Sequence, residues 1–329
     1  MSLLAPTLQR FFTDRLVRQR QVSPATVASY RDSLRLLIGF LAQRTGKAPS
    51  ALDFDDIDEQ AVTAFLTHLE TARHNTARTR NNRLAAVRAL FRYAALRHPE
   101  HAEQIARVLA IPQKNHDKAI VTFLTYDETQ ALLGAPDPGR WEGRRDRAML
   151  ALTVQTGIRL SELTGLNCGD IHLDAGAHLT CLGKGRKHRA VPLTANTVAV
   201  LRTWTRERQG LPADPLFSTR TGRRLSPDAV QRRVALHVNT AKQRCPSLAA
   251  KNVTPHVLRH TAAMALLQAG VDVSVIALWL GHEDIRSTQV YLHADLTIKE
   301  RALAATAATT AKPGRFKPDD PLLAFLEAL

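Results

Sequence analysis

Cysteine is scarce in this chain. Cys168, Cys181 and Cys245 are the only three in 329 residues. They are odd in number and far apart, which excludes a disulfide framework and a cysteine-built zinc site and suits a reducing, cytoplasmic setting. Long apolar runs are missing too. No uncharged hydrophobic stretch approaches the roughly 18 residues that a membrane-spanning helix needs, so no membrane partner is expected. The opening residues, MSLLAPTLQRFF, lack the basic n-region of a secretory signal. There is no internal repeat, and Gly and Pro, 16 each, stand at ordinary levels, which excludes a low-complexity chain. The most telling shortage is of acidic residues. Asp and Glu number 30 against 45 Lys and Arg, a formal net charge of +15. A soluble chain this basic calls for a polyanionic partner, and nucleic acid is the first expectation.

The length predicts about two domains, each large enough for its own core. Ser23-Pro24 is an N-cap and first-turn pair, and Val27, Tyr30, Leu34, Leu37 and Leu41 then recur on one helical face that stops near Gly46. A second helix is predicted from about Asp58, carrying Val62, Phe65, Leu66 and Leu69. A third, from about Thr76 to Arg97, carries Leu84, Val87, Phe91 and Ala94. Between Thr71 and Pro99 stand seven arginines (Arg73, Arg78, Arg80, Arg83, Arg88, Arg92 and Arg97) with no Asp or Glu. A like-charged helix repels itself, so DNA phosphate contact outweighs a merely solvated face. Residues 111–123 have no helical period and read as a linker. Thr125 with Glu128 forms a capping box opening the next helix. Residues 177–193 read as a β-hairpin whose turn holds Lys184 and Lys187. Ser226-Pro227 starts a helix bearing Arg232 and Arg233, two further candidates for DNA contact.

Four segments of the second half carry the chemistry. They are TGIRLSEL with Arg159 and Glu162, the hairpin turn with Lys184, HVLRH with His256, Arg259 and His260, and LGH with His282, followed nine residues later by Tyr291. Each has an ordinary reading alone: a surface ion pair, a solvated lysine, half a metal site, a helix stop, a core tyrosine. The metal reading fails for want of a third ligand motif. Together they supply what metal-free phosphodiester cleavage needs. A tyrosine can attack phosphorus and leave again. Arginines present a planar, permanently charged fork to phosphate oxygens. A lysine or histidine can protonate the leaving 5′-oxygen.

The ordered set Arg159, Lys184, His256, Arg259, His282 and Tyr291 resembles the tyrosine recombinase (phage integrase) family, on the blocks TGIRLSEL, GKGRKHRAVPL, TPHVLRHTAAMALLQAG and LGHEDIRSTQVYLHAD. The resemblance implies a mainly α fold with a small β-sheet or hairpin. It implies a SAM-like helical core-binding domain over residues 1–110, a linker over 111–123 and a mixed α/β catalytic domain over 124–311. A tail helix over 312–329 would dock on a neighbouring protomer. It makes Tyr291 the nucleophile of a 3′-phosphotyrosine intermediate, Arg159 and Arg259 the clamp on the non-bridging oxygens, and Lys184 the acid for the 5′-oxygen. His256 would assist at the tyrosine hydroxyl and His282 would donate to the transition state, with Glu162 behind them holding Arg159 or His256. The implied partner is double-stranded DNA with inverted repeats, bound by a tetramer of this chain alone or with a second recombinase, with no cofactor. The single helical unit ahead of the catalytic blocks suggests a compact, Xer-like type serving integration, excision, transposition or dimer resolution. The rivals are a type IB topoisomerase, which would act as a monomer, and a non-catalytic DNA-binding protein on the same scaffold.

Overall fold

The computed structural model describes residues 4–115, 121–183, 188–282 and 286–292. Lys184, Lys187 and the tail predicted over 312–329 lie outside the described residues. The chain divides into two compact units, Met1–Lys118 and Ala119–Leu329. Among the described residues no helix is long and apolar enough to cross a membrane.

The first unit is helical: α1 (Leu4–Arg10), continued by a π-helical stretch over Phe11–Gln19, α2 (Pro24–Thr45), α3 (Glu59–Thr71), α4 (Ala77–Ala94) and α5 (Ala102–Ala110). The predicted caps are present. Ser23, Asp58 and Thr76 accept from the backbone N–H groups of Thr26, Ala61 and Thr79, and Gly46 closes α2 in the left-handed region at φ 69°. The apolar faces meet in a core that includes Leu34, Leu37, Leu41, Val62, Phe65, Leu84, Val87 and Phe91, all buried. The π-helical stretch and α5 are additions to the sequence reading. Phe11 and Leu16 of the former, and Ile105 and Val108 of the latter, complete that core.

The seven arginines do not form one surface row. Arg73, Arg78 and Arg92 are exposed. Arg80 is only 5% exposed and donates to the carbonyl of Pro112 at 2.9 Å. Arg83 donates to Ser33 Oγ at 2.9 Å, and Arg88 donates to the carbonyl of Ile111. Asn81 pairs with both the carbonyl and the N–H of Lys114, at 2.8 and 3.1 Å. The inner face of α4 therefore satisfies backbone groups of the outgoing chain, which has no ladder of its own to do so. Burial turns Arg80 away from the surface row expected of it, while Arg83 and Arg88 are half-buried against these partners.

The second unit holds α6 (Tyr126–Leu133), α7 (Trp141–Thr156), α8 (Leu160–Gly165), the strands β1 (Ile171–His172), β2 (His178–Leu182) and β3 (His188–Pro192), then α9 (Ala195–Arg208), α10 (Pro227–Ala241), α11 (Pro255–Gln268), α12 (Val273–Leu280) and α13 (Arg286–Leu292). The Thr125–Glu128 capping box forms as predicted. The predicted hairpin is β2 paired antiparallel with β3, Leu179 opposite Val191 and Cys181 opposite Arg189. A short β1, which the sequence reading lacked, makes it a three-stranded sheet. Asp146 of α7 is wholly buried and ties the helices together. It accepts from Arg145 at 2.8 and 2.9 Å, from Arg233 at 2.6 Å, and pairs with His237 at 2.8 Å. Arg233 uses its Nε on this buried carboxylate while its side chain stays part-exposed, and Arg232 is exposed; both remain candidates for DNA contact.

Candidate active site

Two helix C-termini set the geometry. Gly157 closes α7 at φ 63° and Gly281 closes α12 at φ 65°, both left-handed. A Cβ on Gly157 would stand 2.6 Å from Leu280 Cδ2, and one on Gly281 would stand 2.7 Å from an Arg189 nitrogen, so both positions require glycine. The carbonyls at these two helix ends carry partial negative charge and attract guanidinium groups. Arg259, on α11, donates to the carbonyls of Gly157 at 2.6 Å and Leu280 at 2.8 Å. Arg159, the N-cap residue of α8, donates to the carbonyl of Gly281 at 2.6 Å and to Glu162 at 2.8 Å. The TGIR and LGH blocks, more than a hundred residues apart, are therefore stitched together by the two arginines.

Glu162 is 8% exposed and binds more than its own turn. It accepts from the Arg159 N–H at 3.0 Å and from two nitrogens of Arg189 at 2.9 and 2.8 Å. Burial opposes its charge, but the Arg189 fork and the Arg159 contacts win and hold its carboxyl below the usual range. Glu162 touches Arg159 through both its main-chain N–H and its guanidinium, and Arg189 is a third arginine that the sequence reading missed. Its signal was present: Arg189 and Val191 share the inward face of β3 at two-residue spacing, and an arginine on an inward face needs a carboxylate.

Arg259 is 4% exposed, and its guanidinium is drawn down to about 10, first by burial and then by Arg159. Arg259 stays charged at neutral pH. A guanidinium has five N–H donors, and neither arginine exhausts its supply on the carbonyls. A cleft of about 590 Å³ opens onto them, lined among others by Arg159, Ser161, Gln231, Thr254, His256 and Arg259. His282 pairs through Nδ1 with Thr288 Oγ at 2.7 Å. Its ring is pushed down to about 4, first by burial and then by Arg259 and Arg159.

Tyr291, on α13, is 2% exposed and packs in an apolar cluster with Met264, Leu267, Ile276 and Leu280. Burial raises its hydroxyl, against the pull of Arg259 and Arg159. The hydroxyl pairs with Nδ1 of His260 at 3.0 Å. His256, one helical turn away, packs edge-to-face on His260 with ring centroids 4.2 Å apart. His260 and Thr288 are thus two further members that sequence reasoning did not assign. Of the predicted set the structure brings together Arg159, Glu162, His256, Arg259, His282 and Tyr291. Among the described residues no group of three or more His, Cys, Asp or Glu is placed to hold a metal ion.

Comparison with known proteins agrees with this arrangement. The sequence profile of the phage integrase family matches residues 122–297, and that of the phage integrase N-terminal SAM-like domain matches residues 8–98. The chain is 52% identical to the integrase/recombinase y4rC of Sinorhizobium fredii over 326 residues, 99% of this chain and 98% of the relative. It is 34% identical to the tyrosine recombinase XerC of Pelobacter propionicus over 288 residues, 87% of this chain and 90% of the relative. In fold it is similar to the XerH site-specific recombinase bound to a palindromic difH substrate, with a TM-score of 0.67 at 24% identity, covering 87% of this chain and 81% of that one. By its two matched domains, its relatives and its clustered arginines, histidines and tyrosine, the chain belongs to the phage integrase family and is a tyrosine site-specific recombinase.

Proposed function

We propose that the protein cleaves and rejoins double-stranded DNA at inverted-repeat core sites through a 3′-phosphotyrosine on Tyr291. The reading is carried by the convergence of Arg159, Arg259 and His256 on one cleft, with both arginines close enough to Tyr291 to oppose the rise that burial imposes on its hydroxyl. The scissile phosphate occupies that cleft. The N–H groups of Arg159 and Arg259 left over from their carbonyl contacts take its non-bridging oxygens. Because those carbonyls fix the guanidiniums in advance, little reorganisation accompanies charge build-up at phosphorus. When Thr288 donates to Nδ1 of His282, Nε2 carries the ring proton and donates to the transition state. Glu162 and Arg189 hold Arg159 in position. Lys184 protonates the 5′-oxygen. The phosphotyrosine conserves the energy of the broken bond, and a 5′-hydroxyl of a partner strand reverses the step. The division of labour follows the family: residues 1–110 bind the core site together with the catalytic domain, and four protomers synapse two duplexes. Exchange of this kind serves integration, excision or transposition of a mobile element, or Xer-like resolution. The DNA flanking the gene distinguishes these uses.

The test begins with a library of random-sequence duplexes incubated with the wild-type protein. Adducts stable to SDS are recovered and sequenced to give a cleavable site, which is rebuilt as a nicked suicide substrate. Wild type should accumulate the adduct, with or without excess EDTA. Tyr291→Phe should bind the same DNA and form none. An adduct persisting in Tyr291→Phe would remove Tyr291 from the reaction.

A further inference from the structure

His260 was singled out by its place in the HVLRH block, yet none of the roles above uses it. It stands one turn along α11 from His256, and the two rings divide the work by position. His256 lines the cleft that the phosphate enters. His260 lies deeper and half-buried, and its Nδ1 is 3.0 Å from the Tyr291 hydroxyl. Its ring also meets the tyrosine ring at 5.5 Å, nearly edge-on, so the contact is fixed by packing as well as by the hydrogen bond. A buried phenol needs a partner for its hydrogen, and a nucleophilic one needs a partner able to take it. We propose that His260 is the group that activates the nucleophile: its Nδ1 accepts the Tyr291 hydrogen bond and takes the phenolic proton as the oxygen attacks phosphorus. The inference rests on the reading of Tyr291 as nucleophile.

The step balances within the site. The phenolic O–H bond breaks and its proton moves to Nδ1, leaving His260 as an imidazolium. The phenolate oxygen forms its bond to phosphorus as the bond from phosphorus to the 5′-oxygen breaks. The departing oxygen takes a proton from Lys184. Religation runs the same transfers backwards, and His260 returns the proton to the tyrosine. The arrangement requires the tautomer with its hydrogen on Nε2. The surroundings keep the resting ring in its neutral, accepting form: burial first, then His256, Arg259 and His282, push it down to about 4.

Three variants and a second substrate separate this role from the alternatives. On the nicked duplex, His260→Ala should slow adduct formation by roughly 10²–10⁴-fold, the usual range for a lost general base. His260→Asn keeps an acceptor close to the Nδ1 position but cannot carry the proton, so it should remain slow by at least about 10²-fold. Recovery to the wild-type rate with Asn would reduce His260 to holding the hydroxyl and overturn the proton transfer. A substrate with sulfur in place of the 5′-bridging oxygen needs no acid at the leaving group. It should rescue Lys184→Ala but not His260→Ala, and rescue of both would overturn the assignment. In the wild-type protein, nitrogen NMR should find His260 Nδ1 without hydrogen, and a protonated Nδ1 would overturn the proposal even if the variants failed to fold. Failure of the underlying reading is distinguishable, because Tyr291→Phe would then still form the adduct.

Discussion

The histidines of the site make folding sensitive to mild acid. Burial, assisted by neighbouring cations, holds His260 and His282 at about 4, against 6.5 for a free ring. The unfolded chain therefore takes up protons near pH 6.5 that the folded site refuses until about pH 4. Stability present at neutral pH is lost as pH falls through that window. Glu162 and Asp146 are shifted in the same direction, below the usual carboxylate range, so their contribution is also lost as pH falls, but only in stronger acid. The melting temperature should fall between pH 7.5 and pH 5 by calorimetry. His282→Asn should shrink that fall, since one of the two rings is gone. An unchanged fall would mean that His282 is not held neutral in the folded protein. The set Arg159, His256, Arg259, His282 and Tyr291 was legible in the sequence because residue type, order and the nine-residue step to Tyr291 are written in the chain. Arg189 carried a signal that went unread, its inward place on β3, but His260 and Thr288 were not legible as site members. Their roles arise only when α11 and α13 bring them against Tyr291 and His282, and adjacency of that kind has no period in sequence.

Helix α4 shows how far a pattern of charges determines an element's use. Its start, caps and apolar face were readable, because capping and a 3.6-residue period are local. The sequence did not reveal that α4 has two arginine faces, one exposed and one turned onto the chain leaving α5. That outgoing chain has no periodicity and so carries no signal of where it runs. The two faces should respond differently to substitution. Arg78→Ala with Arg92→Ala removes exposed cations and should flatten the dependence of log affinity on log salt by up to roughly one unit for each lost phosphate contact. Arg80→Ala instead unpairs the carbonyl of Pro112 and should cost about 1–3 kcal/mol in urea unfolding, with the salt slope kept. A slope unmoved by the first pair would return α4 to the solvated-face reading. The short β1 and α5 escaped sequence reading for a related reason. β1 is two residues long, and α5 follows a 3₁₀ turn over Pro99–His101 that breaks the pattern before it can be recognised.

At the scale of the whole molecule, a net charge of +15 favours gathering DNA without choosing a sequence. On the proposed function, what must be added is control over when the assembled protomers cut. The tail is the segment whose sequence suits that task. After Lys312-Pro313-Gly314-Arg315, the sequence predicts a helix start at Asp319, Asp320 and Pro321, followed by Leu322, Leu323, Phe325, Leu326 and Leu329. A helix of about nine residues is not stable alone in water. Its five large apolar side chains gain roughly 1.5–3 kcal/mol each only if a groove buries them fully. Docking on a neighbouring protomer would couple that gain to assembly. The tether to the neighbour would begin close to Tyr291, so occupancy of one protomer's groove would bear on another's nucleophile. Folding back on its own domain would bury the same residues with no such coupling. Deletion of 319–329 separates the two. Under exchange between protomers, the shortened protein should bind a single core site with unchanged affinity in a gel-shift assay, yet fail to form the synaptic tetramer and lose strand exchange. Under fold-back, the loss should appear in the melting temperature of the monomer, while any protein that remains folded should synapse and recombine as the full chain does.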